Sequence, residues 1–207
     1  MSGVVLSLSL VVHATAAQEP TRPITPANLE EAIQLATDEK TARKFLDAYV
    51  LQPRAGWGHG PLIGTFSTPF SRVVQAALTA RKKGHAFTMN DVAADLVVPE
   101  LHVIATPQPA ASDESAVAGV LSIVIAPRGA KNATELVEPL NRMELSEQYQ
   151  ALHGIEIKGP ATVAVFPLSA VVPNSEIRVM FDRVARGVWG ASACRECIVP
   201  FDTTRVR

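Results

Sequence analysis

The hydrophobic pattern of the chain changes near residue 98. Before that point, apolar residues recur every three or four positions, which is the spacing of helices with one buried face. From Glu100 onward, they form short runs rich in β-branched side chains and separated by Pro, Gly, Asn and Ser, a pattern typical of strands. This order predicts an α+β fold with N-terminal helices packed on an antiparallel β-sheet or an incomplete β-sandwich.

The part of the chain before residue 98 predicts either three main helices or two, because the segment from Thr25 to Pro53 is either a helical hairpin or one bent helix. Thr25-Pro26 and Thr68-Pro69 each place a capping hydroxyl before a proline at the first helical position, and Thr37 to Glu39 can cap the helix between them. The glycine-rich stretch 54–67 is predicted to be irregular, and a short helical turn is expected over 90–96. The apolar positions at helical spacing are Leu29, Ala32, Ile33 and Ala36, then Ala42, Phe45, Leu46, Tyr49 and Val50, then Phe70, Val73, Val74, Ala77 and Leu78.

The second part predicts four main strands. The connections 107–115 and 168–175 are too short for a crossover helix, so neighbouring strands are expected to be antiparallel. A short helix is expected over 146–152, and 155–158 and 198–201 are candidate edge strands. The predicted strands are 101–105, 117–126, 162–166 and 176–182.

The N-terminal residues 1–17 are predicted to be a secretory signal peptide. Val4 to Val12 is apolar apart from two serines and leads into the small residues Ala14 to Ala17. No Lys or Arg precedes the apolar core, so the signal is atypical or starts upstream, and a buried N-terminal strand is the alternative. We expect residues 18–207 to form a single α+β domain, with a helical part at 25–97 and a mainly β part at 98–207.

Composition narrows the class of protein. Hydrophobic residues make up 47% of the chain and charged residues 19%, with a mean hydropathy of +0.16, as in a folded globular protein. The formal net charge of −1 and the low aromatic content of 5% argue against nucleic-acid binding. The apolar run near the N-terminus is too short to span a bilayer, so we expect no transmembrane segment in the mature chain.

Cys194 and Cys197 are the two cysteines of the chain, arranged as Cys-x-x-Cys near its end. In an exported protein, a local disulfide between them is the favoured interpretation. A metal site would need two more ligands, and a redox dithiol would normally lie beside a βαβ unit, which is not predicted here. Both alternatives remain open, with Cys194 and Cys197 as candidate metal ligands.

Catalytic motifs are missing from the sequence, which contains no Gly-x-Ser-x-Gly, Ser-x-x-Lys or His-Glu-x-x-His. Trp57 to Gly60 places an indole and an imidazole on a glycine-rich backbone, which suits an anion site or proton shuttle but is more typical of a tight loop. His59, His102 and Asp91 are the candidate residues of a hydrolase site assembled from distant parts of the chain. His102 lies in an apolar strand, where a hydrogen-bonded, buried histidine is favoured over a ligand.

We therefore expect an exported, soluble protein that acts as a non-catalytic binding or structural module in the periplasm, the cell envelope or the extracellular space. A small molecule or an envelope protein is the expected partner, and no cofactor is predicted. The alternatives are a secreted hydrolase, with a site built from distant residues, and a metal or redox protein that uses the C-terminal cysteines.

Overall fold

The computed structural model describes residues 24–51, 62–107, 120–130, 135–153, 157, 160–172, 174–181 and 196–200. In these residues, the helices are α1 (Pro26–Leu35), α2 (Glu39–Leu46), α3 (Pro69–Lys82), α4 (Ala94–Val97) and α5 (Glu147–His153). The strands are β1 (Leu62–Ser67), β2 (Glu100–Pro107), β3 (Val120–Pro127), β4 (Asn141–Glu144), β5 (Thr162–Pro167), β6 (Ser175–Phe181) and β7 (Glu196–Pro200). The predicted α+β class, with helices at the N-terminus, is confirmed.

Local capping explains where the first helices begin. The hydroxyls of Thr25 and Thr68 accept hydrogen bonds from the backbone N–H groups of Asn28 and Ser71, and each pair is completed by a reciprocal bond. Asp38 caps α2 through the N–H of Lys40. Each cap satisfies a backbone donor that has no partner within its helix, which fixes the first turn. The predicted starts at Thr25 and Thr68 are confirmed.

The strands form two antiparallel sheets. The first has the order β1-β2-β5-β4, and the second has the order β3-β6-β7. One apolar core joins the facing sides of both sheets, with Val103 and Phe166 from the first and Ile125 and Ile177 from the second. Because side chains alternate along a strand, Ile104 and Val163 lie on the opposite side of the first sheet, where Tyr149 of α5 packs.

The helices have an apolar cluster of their own, which Phe45 connects to the sheets. Val73 and Leu78 of α3 belong to this helical cluster. The ring of Phe45 lies 5.2 Å from the ring of Tyr49 and 5.5 Å from that of Phe70, measured between centroids. Tyr49 belongs to the core of the two sheets, so the aromatic contacts join the helical layer to the β part.

Two strands were not predicted. The prediction that 54–67 is irregular was wrong for the last part of this range, because β1 occupies Leu62–Ser67 and pairs with β2 along its length. Gly64 breaks the apolar pattern of this strand, since the backbone of β2 lies too close for a side chain there. The short edge strand β4 has mostly exposed residues and therefore no apolar run. The expected edge strand at 155–158 lies largely outside the described residues.

Replacing Gly64 with alanine is expected to destabilise the protein by about 1–3 kcal/mol, the cost typical of overpacking. A methyl group at this position would overlap the carbonyl oxygen of Ile104 and lie 2.9 Å from Cδ1 of Leu51. Urea denaturation followed by circular dichroism would measure the loss. Gly129→Ala is the comparison, because Gly129 has open space around it and only its positive φ of 82° resists a side chain. A Gly64→Ala variant as stable as the wild type would contradict the packing argument.

Candidate functional site

A polar cluster lies on the side of the first sheet that faces α5. Ser67 at the end of β1 pairs in register with His102 of β2, and residues paired in this way share a face of the sheet. On α5, Tyr149 and His153 are one helical turn apart and therefore project from the same side of the helix. The rings of both residues contact the ring of His102, with centroids 5.8 Å and 5.5 Å away.

His102 is buried and uses both ring nitrogens. Nδ1 lies 2.5 Å from the hydroxyl oxygen of Tyr149, and Nε2 lies 3.1 Å from Oε2 of Glu100. Because a carboxylate only accepts, the Nε2–H donates to Glu100, and Nδ1 accepts from the Tyr149 hydroxyl. Burial, helped by the positive charge of Arg72, lowers the pKa of His102 to about 3, so the ring is neutral near pH 7. Burial also raises the pKa of Tyr149 above its usual range, which keeps the phenol protonated.

His153 is the second histidine of the cluster. Its ring stacks on Tyr149 with a centroid distance of 4.1 Å and an interplanar angle of 28°. Burial, together with His102 and Arg72, lowers its pKa to about 4. The Nδ1 atom has no hydrogen-bond partner among the described residues, although only 3% of the residue is exposed. The Ser67 hydroxyl, in a residue that is 8% exposed, likewise has none.

Arg72 of α3 is a buried cation, with 1% of its surface exposed. Its Nε, Nη1 and Nη2 donate to the carbonyl oxygens of Leu96, Glu100 and Val98 at 3.0, 2.9 and 2.5 Å. These bonds tie α3 to the connection between α4 and β2. Burial lowers the pKa of Arg72 to about 10, so the guanidinium remains charged near pH 7. In the described part of the chain, no carboxylate lies within ion-pair distance of it.

Beside this cluster lies a cavity of about 720 Å³. Its polar lining includes Ser67, Ser71, Arg72 and His153, and its apolar lining comprises Leu46, Tyr49, Val50, Phe66, Leu78 and Ile157. Exposed charged side chains, from Arg43, Asp47, Lys82 and Lys83, line it where it opens to solvent. Its size lies within the range typical of sites for small organic molecules, about 300–1,000 Å³.

Two of the predicted hydrolase residues, His102 and Asp91, are described by the structure. His102 belongs to the polar cluster, whereas Asp91 is exposed in a 3-10 turn, where its carboxylate accepts hydrogen bonds from the N–H and the hydroxyl of Thr88. The two residues therefore have different partners. His59 and the Trp57 to Gly60 stretch lie outside the described residues, so their predicted roles stay predictions.

The cysteine predictions also stay open. Cys194 lies outside the described residues, and Cys197 is described only by its backbone, in the pairing of β7 with Val179 of β6. Among the described side chains, no group of three or more His, Cys, Asp or Glu residues is placed to hold a metal ion. The disulfide, metal and redox hypotheses for Cys194 and Cys197 therefore stay predictions.

Sequence reasoning missed most of the cluster. Ser67 falls in the stretch predicted to be irregular, and Arg72 lies on the predicted helix that begins at Pro69, with no indication in the sequence that it is buried. The one usable signal is the i, i+4 spacing of Tyr149 and His153, which places both rings on one face of a helix if the helix predicted over 146–152 extends by one residue. Local sequence contains no indication that this face meets His102.

No known protein family, curated protein or solved structure matches the chain. None of the helices in the described residues has the length and apolar run needed to cross a bilayer. The functional argument therefore depends on the geometry of the cavity and of the polar cluster beside it.

Proposed function

We propose that this protein is an exported binding module and that the cavity between α2, α3, β1 and α5 holds a small organic molecule. The observation that carries the proposal is the pair of unpartnered buried atoms, Ser67 Oγ and His153 Nδ1, in residues that line the same cavity. Buried polar groups are nearly always hydrogen-bonded, and an unmade bond costs about 1–3 kcal/mol. A ligand with polar groups would satisfy both atoms and recover that cost.

The protonation states favour binding over proton transfer. An effective general base has a pKa near the working pH, whereas burial lowers the pKa of His102 to about 3 and that of His153 to about 4. Near pH 7, the neutral imidazole of His153 and the hydroxyl of Ser67 can donate or accept hydrogen bonds. These groups suit the orientation of a ligand, and Arg72 adds one fixed positive charge.

The hydrolase alternative has less support. A serine nucleophile is normally activated by a hydrogen bond to a base, and the Ser67 hydroxyl makes no such bond in the described residues. Both ring nitrogens of His102 are hydrogen-bonded, to Tyr149 and to Glu100, so this histidine is not free to act as the base for Ser67.

The metal or redox alternative depends on Cys194 and Cys197. Export depends on residues 1–17, which are outside the described residues, and we propose it from the sequence.

Obstructing the cavity should weaken the binding of a small apolar probe. Val50 lines the cavity and is 47% exposed, so Val50→Trp places an indole at the opening with little strain on the core. We expect phenylnaphthylamine, a neutral fluorescent probe, to bind the wild-type protein at one saturable site. In Val50→Trp, we expect at least about tenfold weaker binding, equivalent to 1.4 kcal/mol.

Val172→Trp is the matched control, because Val172 is also 47% exposed and does not line the cavity. It should bind the probe as the wild type does. Equal binding to Val50→Trp and Val172→Trp would place the probe elsewhere on the protein. If neither phenylnaphthylamine nor its anionic analogue, anilinonaphthalene sulfonate, bound the wild type at a saturable site, the proposed function would be wrong.

A further inference from the structure

We infer that the ligand of this cavity is an amphipathic organic anion, with an acidic group near Arg72 and an apolar ring or chain against the cavity wall. This inference rests on the proposed function and specifies the chemical class of its ligand. Three features of the cavity carry it: a buried cation with no carboxylate within ion-pair distance among the described residues, an excess of positive charge at the opening, and a largely apolar wall.

The buried cation is Arg72. A guanidinium has five N–H donors, and three of those of Arg72 donate to backbone carbonyls. One N–H on each Nη therefore has no acceptor among the described residues. Buried charges are usually paired with an opposite charge, because removing an ion from water is costly. The carboxylate of Glu100 favours the charged form of Arg72 only from beyond ion-pair distance, so an anionic group in the cavity would supply the missing acceptor and a closer negative charge.

The opening of the cavity is also positive. Arg43, Lys82 and Lys83 line it together with one carboxylate, that of Asp47. Arg43 is bonded to Glu39 at 2.6 Å, but in the described part of the chain no carboxylate pairs with Lys82 or Lys83. Lys82 is the last residue of α3 and Lys83 is its C-cap, and both exposed charges can attract an anion that enters the cavity from solvent.

The apolar wall of the cavity favours a ligand with an apolar part. Tyr49, Phe66 and Leu78 belong to the buried cores of the protein and also line the cavity. A small inorganic anion would leave this apolar surface in contact with water, whereas a ring or chain would cover it and gain about 25 cal/mol for each Å² buried. The cavity is therefore suited to a molecule that carries both an acidic group and an apolar part.

The test compares two probes with the same ring system. Anilinonaphthalene sulfonate is phenylnaphthylamine with one sulfonate added, so the difference in affinity isolates the anionic group. We expect the sulfonate to bind the wild type at least about tenfold more tightly than the neutral probe in low salt. The advantage should shrink as salt is raised, because the lysines at the opening are exposed and screened.

Charge reversal at the opening tests the lysines. Lys82→Glu/Lys83→Glu should weaken binding of the sulfonate about tenfold, and its effect on the neutral probe should be much smaller. Lys40→Glu/Lys44→Glu makes the same change in net charge on exposed residues of α2 that do not line the cavity, and it should have little effect. Both double variants alter exposed side chains only, so both should fold.

The outcomes distinguish this inference from the proposed function. If both probes bind with equal affinity, and both are lost in Val50→Trp, the cavity binds small molecules but does not select anions, and the inference is wrong. The same conclusion follows if the two lysine double variants weaken the sulfonate equally. Failure of both probes to bind at a saturable site would instead refute the proposed function itself.

Discussion

Replacing Arg72 with alanine is expected to lower the free energy of unfolding by about 3–5 kcal/mol. The guanidinium is the donor for three backbone carbonyls, those of Leu96, Val98 and Glu100, and each unpaired buried acceptor costs about 1–3 kcal/mol. Water entering the space left by the side chain would recover part of this cost. Since small domains have a total stability of about 5–15 kcal/mol, the variant would be marginal.

Urea denaturation followed by circular dichroism would measure this effect. Arg81→Ala is the control, because Arg81 lies on the same helix but is exposed, and its loss should change stability by less than about 0.5 kcal/mol. Arg72→Lys should fall between the two, since an ammonium keeps the charge but cannot reach three separated carbonyls as a planar fork does. If Arg72→Ala were as stable as Arg81→Ala, these bonds would not hold the connection between α4 and β2.

Acid is expected to destabilise the protein well above the pH at which most carboxylates are protonated. His102 has a pKa of about 3 in the folded protein, against about 6.5 in an unfolded chain. Between these values, the unfolded chain binds a proton that the folded protein excludes, so stability is full above about pH 6.5 and falls as the pH is lowered. His102 alone contributes about 1.4 kcal/mol per pH unit in this window, and His153, with a pKa of about 4, adds a similar slope down to about pH 4.

The measurement is the free energy of unfolding between pH 7 and pH 4.5, where we expect the two histidines together to cause a loss of about 3–5 kcal/mol. His102→Asn removes the titrating ring and should flatten the slope by roughly half or more, whatever it does to stability at pH 7. His85→Asn is the control, because it removes an exposed histidine instead of a buried one. An unchanged slope in His102→Asn would show that His102 is not the group that excludes the proton.

The two predictions test different parts of the same polar cluster. Arg72 donates to backbone carbonyls and so holds the connection that leads into β2. His102 lies on this strand, and its ring contacts Tyr149 and His153 of α5. His102 acts through its ring, which joins Glu100 of β2 to Tyr149 of α5. The cavity is bounded by elements that both residues hold in place, so loss of either should also weaken the binding of an organic anion.

Much of the fold was predictable because it depends on interactions between near neighbours. The caps at Thr25 and Thr68 are bonds to residues three positions away, and the helices that they begin have regular apolar spacing. The antiparallel order followed from short connections. By contrast, β1 was not predicted, because Gly64 interrupts its apolar pattern. A glycine is required there because the backbone of β2 at Ile104, about 40 residues later in the sequence, lies too close for a side chain.

The sequence alone determined the α+β class and the starts of α1 and α3, since each is a matter of residues close together in the chain. Only the tertiary structure decided that His102 meets Tyr149, 47 residues away, and that Arg72 donates to Val98, 26 residues away. The cavity exists because α2, α3, β1 and α5 come together around it. Its chemistry comes from burial, which lowers the pKa of His102 and His153 and leaves Ser67 and Arg72 with unused hydrogen-bonding capacity, and burial is a property of the folded chain as a whole.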